Sequence, residues 1–114
     1  MRIAALDDDA LQLDLFKQAL HAMRHTCHTY LTGAQLLHSL QSECFDLLIV
    51  DWHLPDTTGP EVVRWVRQHV GLEMPILFVT HRQEERDIVE GLCCGADDFM
   101  TKPVRIGELR ARVA

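Results

Sequence analysis

Short apolar runs alternate along the chain with longer segments whose apolar positions recur at helical spacing. Ile3-Ala4-Ala5-Leu6 is brief, apolar and closed by aspartates, which predicts a buried strand. Asp9 followed by Gln12 fits a capping box, and Leu11, Leu13, Leu15, Phe16, Ala19 and Leu20 predict a helix with a broad apolar face. Thr26 to Leu31 predicts a second strand, and Thr32-Gly33 opens a second helix through Leu36, Leu37 and Leu40. Leu47-Leu48-Ile49-Val50 is apolar without interruption and ends at Asp51, as expected of a central parallel strand covered by helices on both faces. Leu54 to Gly59 carries loop chemistry, and Pro60 then starts a helix bearing Val62, Val63, Val66 and Val70. Ile76 to Val79 predicts a fourth strand ended by Thr80, followed by a charged helix from about Gln83 to Cys94 that stops at Gly95. Phe99-Met100 lies in a short fifth strand, and Ile106 begins a last helix.

The sum is a (βα)₅ chain forming one domain over residues 1–114, with no linker, repeat or low-complexity segment. Strands alternating with helices predict a doubly wound parallel sheet with right-handed crossovers, in which chemistry gathers beyond the carboxyl ends of the strands. Those ends carry Asp7-Asp8, Asp51, Thr80 and, just past the fifth strand, Lys102.

Composition narrows the function classes. Eleven basic against seventeen acidic residues give a net charge of −6, which repels a polyphosphate backbone, so this domain is not expected to bind nucleic acid itself. Cys27, Cys44, Cys93 and Cys94 match no metal-knuckle spacing and read as reduced, buried or half-buried thiols of a cytoplasmic protein. The seven histidines form no metal-binding pair of their own. No signal peptide is expected, and no apolar stretch approaches the ~18 residues of a membrane span, so no membrane association is expected.

Three carboxylates converging on one sheet edge need a compensating cation. Oxygen-only ligands at an open cleft suit a hard ion such as Mg²⁺, which keeps several waters. Lys102 adds a fixed positive charge and Thr80 a hydroxyl. An aspartate with that company is equipped to accept a phosphoryl group by in-line attack.

Asp7-Asp8 after the first strand, Asp51 in DWHLPDTTG, Thr80 closing PILFVT, and GADDFMTKP around Lys102 resemble the receiver domains of two-component response regulators. The resemblance covers the whole chain through these motifs in order. It implies a flavodoxin-like sheet of order 2-1-3-4-5 and phosphorelay signalling with a sensor histidine kinase or phosphotransfer protein as donor. By the same resemblance Asp51 is the phosphoacceptor. Asp8, Asp51 and the backbone carbonyl of His53 ligate Mg²⁺, while Asp7 acts mostly through a metal-bound water. Lys102 contacts the phosphoryl oxygens, with Pro103 after it in a cis peptide. Thr80 and Phe99 form the switch pair. The domain is then no enzyme in the ordinary sense, catalysing only its own phosphorylation and dephosphorylation.

Several residues have plainer expected roles. Asp9 reads as a helix cap, Trp52 as half-exposed beside the site, Trp65 as helix surface, and the His53 side chain as solvent-exposed. Two positions depart from the family pattern: His81 stands after Thr80 where a small residue is common, and Val104 where phenylalanine is common.

The short last helix implies that it is truncated or that an output domain follows Ala114. Arg86, Asp98, Glu108 and Arg112 resemble the ion-pair set with which receivers of winged-helix transcription regulators dimerise through the fourth helix, fifth strand and fifth helix. Ile88, Leu92 and Ala111 form the neighbouring apolar patch, and an expected acidic position there is Cys93. That likeness implies transcription regulation as output. Two rival readings remain: a degenerate receiver serving only as an interaction module, and a haloacid-dehalogenase-type phosphatase using Asp7-Asp8-Asp9.

Overall fold

A computed structural model describes residues 1–81, 89–90 and 92–113. Five strands, β1 (Arg2–Leu6), β2 (Thr26–Tyr30), β3 (Leu47–Val50), β4 (Ile76–Thr80) and β5 (Asp98–Thr101), form one sheet in the order β2-β1-β3-β4-β5. Every pairing is parallel: Ile3 lies between Cys27 and Leu47, and Phe78 between Val50 and Phe99.

The alternation of side chains along a strand, with helices on both faces, explains why the runs over residues 3–6, 47–50 and 76–79 are apolar throughout. Ala4, Leu6, Leu48, Val50, Ile76 and Phe78 face one layer, where they pack with Leu36 of α2 (Gly33–Leu40) and with Val62, Val63 and Val66 of α3 (Gly59–His69). Ile3, Ala5, Leu47, Ile49, Leu77 and Val79 face the other. There they meet Leu13, Phe16 and Leu20 of α1 (Ala10–Ala22) and Leu109 and Val113 of the C-terminal helix, Ile106–Val113. Both layers are filled over β3 and β4, so a polar residue there has nowhere to go but the strand ends, whereas the edge strand β2 carries His28 and Thr29 within its length.

The starts of α1 and α2 are set by the expected residues, and that of α3 by Thr58 ahead of the expected Pro60. The Asp9 carboxylate caps α1 by accepting from the Leu11 amide at 3.0 Å, one residue short of the capping-box partner. The Thr32 hydroxyl accepts from Gln35 and the Thr58 hydroxyl from Glu61, with Pro60 in the first turn of α3.

Four expectations need correction. The apolar face of α1 is narrower than predicted, because Leu11 and Leu15 lie off the stripe that Leu13, Phe16 and Leu20 bury, and Leu11 is 82% exposed. Trp52 is buried, its ring tilted against Phe78 with centroids 5.5 Å apart. Trp65 is half-buried against the α2–α3 layer and stacks on His69 at 4.4 Å. Cys44 and Cys93 are exposed, whereas Cys27 is buried and desolvation pushes its thiol up to about 11. Most of the predicted fourth helix, with Arg86 and Ile88, lies outside the described residues. Among those described, no helix is long and apolar enough to cross a membrane.

Candidate functional site

The chain runs from β1 outward to β2 and returns across the sheet to β3, so β1 and β3 are neighbours whose following connections leave in opposite directions. A crevice forms at that divergence, beyond the carboxyl ends of the strands. Asp7 follows β1 directly and Asp51 follows β3, and their backbones are fixed by the ladder: Asp51 N–H donates to Leu6 O at 2.9 Å and Asp7 N–H to Tyr30 O at 3.2 Å. Asp7, Asp51, Thr80 and Lys102 are the buried polar side chains among the described residues.

One carboxylate oxygen from each of Asp7, Asp8 and Asp51 lies within 4.8 Å of the other two, with Asp8 exposed on the solvent side. Lys102 closes the group from β5: its ammonium donates to Asp7 Oδ2 at 2.7 Å and to Asp51 Oδ2 at 3.2 Å. The register of the β4–β5 pair delivers it, since Lys102 N–H donates to Thr80 O at 2.8 Å. Thr80 ends β4 fully buried, and the peptide between Lys102 and Pro103 is cis, as the resemblance implies.

Electrostatics at the site follow from crowding. Burial, only partly opposed by hydrogen bonds from Lys102 and the Asp9 amide and reinforced by the Asp51 charge, holds the Asp7 carboxyl above its ordinary range. Burial also works against the Lys102 ammonium, but its hydrogen bond to Asp7 and the charge of Asp51 outweigh it and hold the lysine above its usual value. With all three aspartates ionised, three carboxylates face one ammonium, which leaves two negative charges uncompensated. An all-oxygen donor set of that charge, open to water at Asp8, fits a hard divalent cation such as Mg²⁺.

Asp51 Oδ1 accepts from the Trp52 amide at 2.7 Å, which fixes the carboxylate plane and leaves Oδ2 on the Lys102 side. The exposed side chain of His53 comes two residues on, where His53 bridges Thr58 in antiparallel fashion. Phe99 is buried against Phe78, with centroids 6.1 Å apart, and His81 is exposed immediately after Thr80. The predicted residues from β1, β3, β4 and β5 are therefore brought to one crevice.

The surface residues of the expected ion-pair set form a separate cluster. Arg112 donates to both oxygens of Asp98, at 2.8 and 2.7 Å, and to Glu108 at 3.2 Å, all within one chain. Arg86 lies outside the described residues.

The sequence reading missed two participants. Gly59 has its Cα against the site: a Cβ there would meet Asp51 O at 2.5 Å and Phe78 Cε1 at 2.6 Å. Asp56 reads from sequence as a loop residue, yet its carboxylate takes the amides of Gly33 and Ala34, both at 2.9 Å. Such pairing over more than twenty positions has no local trace.

Residues 3–114 match the family described as response regulator receiver domain. The chain is 40% identical to the phosphate regulon transcriptional regulatory protein PhoB of Rhizobium meliloti, covering 98% of this chain and 50% of that protein. It is 39% identical to the response regulator protein PmrA of Pseudomonas aeruginosa, covering 99% of this chain and 51% of that protein. It thus spans about half the length of the curated relatives it matches. Among solved structures it is similar to the response regulator DrrB of Thermotoga maritima, described as an OmpR/PhoB homologue. The TM-score is 0.89 at 31% identity, over 98% of this chain and 50% of that one. A CheY-like receiver domain protein from Methanospirillum hungatei superposes with a TM-score of 0.91 at 29% identity, over 98% of this chain and 89% of that one.

Proposed function

The chain belongs to the response regulator receiver domain family, and from that premise we propose that Asp51 accepts a phosphoryl group from a phosphohistidine of a sensor kinase or phosphotransfer protein. The observation that carries this reading is the convergence of Asp7, Asp8, Asp51 and Lys102 at one strand-end crevice. Family membership sets aside the phosphatase alternative, and a complete set of site residues argues against a degenerate receiver.

In the proposed step Asp51 Oδ2 attacks phosphorus, the P–N bond of the donor breaks, and its electron pair stays on the imidazole nitrogen. Asp8, Asp51 and the His53 carbonyl would hold Mg²⁺, with Asp7 acting through a bound water. The metal, when bound, supplies charge neutralisation for the phosphoryl oxygens. Lys102, already against Asp51, needs little movement to meet an oxygen of the new acyl phosphate. Thr80 supplies a hydroxyl at the end of the neighbouring strand, and Phe99, on β5 beside it, would couple that hydroxyl to the outer face. In this reading the domain also promotes loss of its own phosphoryl group to water.

Because relatives such as PhoB are described as transcriptional regulatory proteins about twice the length of this chain, we take the output to be transcription control from the cytoplasm, exerted through a further part of the protein. Dimerisation through the face bearing Asp98, Glu108 and Arg112 is supported by the likeness of these residues to the family's ion-pair set and by their part-exposed charged cluster. Sedimentation with and without beryllofluoride tests it, and an unchanged monomer would refute it. For the acceptor reading, ¹⁹F spectra with Mg²⁺ and beryllofluoride should show bound fluoride resonances. Those resonances should vanish in Asp51→Asn; their persistence there would refute the assignment.

A further inference from the structure

The loop between β3 and α3 is anchored at both ends. At its base Gly59 N–H donates to Trp52 O at 2.7 Å, and His53 bridges Thr58. At its far end Asp56 reaches across to α2: Oδ1 accepts from Gly33 and Oδ2 from Ala34, each at 2.9 Å. Gly33 makes this approach feasible, since a Cβ there would meet the Thr57 methyl at 2.5 Å. The remaining first-turn amides of α2 are satisfied locally, Gln35 by the Thr32 hydroxyl and Leu36 by Thr32 O. The start of α2 is therefore completed by a residue from the active-site loop.

We propose that Asp56 is a positioning residue for the divalent-cation site: by clamping the tip of the 52–58 loop to the start of α2, it holds the backbone at His53 in place for the metal. The inference rests on the reading of Asp51 and its neighbours as a Mg²⁺-dependent phosphoacceptor site. Leu54 packs against the core and the Thr57 methyl lies against Gly33, but Pro55 and Asp56 at the tip are exposed, so the Asp56 carboxylate supplies the polar tether there. A carboxylate shared between two helix N-terminal amides is a strong tether, as charge-assisted bonds and the helix dipole act together. The Ala34 and Gly33 amides also hold the Asp56 carboxyl below its ordinary range, so the clamp stays charged at neutral pH.

The test compares wild type, Asp56→Ala and Asp56→Asn by calorimetric titration with Mg²⁺, by urea unfolding without metal, and by amide hydrogen exchange. A positioning role predicts faster exchange at Gly33, Ala34 and the amides of residues 53, 54 and 56–58 in Asp56→Ala. It also predicts Mg²⁺ affinity reduced on the order of tenfold, the usual scale for losing a group that orients a metal ligand. Asp56→Asn, which retains one acceptor oxygen, should fall between, and it carries the comparison if the alanine variant does not fold. A merely structural role would lower the unfolding midpoint and leave Mg²⁺ affinity at the wild-type value, and that result overturns the inference. Unchanged exchange at Gly33 and Ala34 would overturn it too. Failure of the wild type itself to bind Mg²⁺ would sink the underlying site reading as well, so the two failures are told apart.

Discussion

The ammonium of Lys102 is bonded to Asp7 Oδ2 at 2.7 Å, the shorter of its two carboxylate contacts. The pair is buried, and Asp51 accepts from the same nitrogen. Lys102 is thus the counter-charge that lets two buried carboxylates coexist before any metal binds, and it is placed to turn toward Asp51 when that residue gains oxygens.

Removing that charge should be costly. Lys102→Met leaves Asp7 and Asp51 buried without a cation, and breaking a buried pair from one side destabilises by roughly 3 kcal/mol or more. Urea unfolding in EDTA should show this loss, and excess Mg²⁺ should recover part of it by binding the folded state. Equal stability of variant and wild type in EDTA would mean that Lys102 does not balance the cluster.

Asp7 gives the site a pH dependence of definite sign. Its folded carboxyl sits above its ordinary value of 3.8 through burial and the nearby Asp51 charge. A raised carboxyl favours the folded state while protonated, so its contribution is fully present below the ordinary value and is lost as pH rises through the folded one. In metal-free protein Asp7→Asn should therefore flatten the fall in stability with rising pH and raise the neutral-pH Tm. Scanning calorimetry from about pH 4 to about pH 8 checks it against the ordinary carboxylate range. Parallel curves for the two proteins would contradict the account.

Gly59 permits the close approach of α3 to the end of β3. Gly59→Ala puts a methyl 2.5 Å from Asp51 O and 2.6 Å from the Phe78 ring. Neither the strand nor the buried ring yields cheaply, so a loss of about 1–3 kcal/mol is expected, the range for overpacking. The urea midpoint should fall with the slope unchanged. A variant as stable as wild type would show that the helix can shift freely.

What was legible in the sequence was what repeats or terminates. Leu47 to Val50 announce a strand buried on both faces, and an aspartate right after such a run has to lie at its end, which is how Asp51 is found. The same logic locates Asp7, Thr80 and Lys102, because all five strands are parallel and their carboxyl ends share one edge. Side-chain direction is harder to read. Trp52, next to a polar site, turns inward onto Phe78, and Leu11 faces solvent on a helix whose apolar residues outnumber its buried ones. Hardest are contacts without periodicity: the Asp56 clamp joins a loop to a helix start that only the folded sheet brings together.

The central claim is that Asp51 takes the phosphoryl group, and intact mass spectrometry tests it most directly. Wild type incubated with Mg²⁺ and a small phosphodonor should gain the mass of one phosphoryl group, and should not gain it in EDTA. Asp51→Asn should stay at its starting mass, while Asp9→Asn, at the α1 cap outside the cluster, should be modified like wild type. A gain retained in Asp51→Asn, or lost in Asp9→Asn but not in Asp51→Asn, would contradict the assignment of the acceptor.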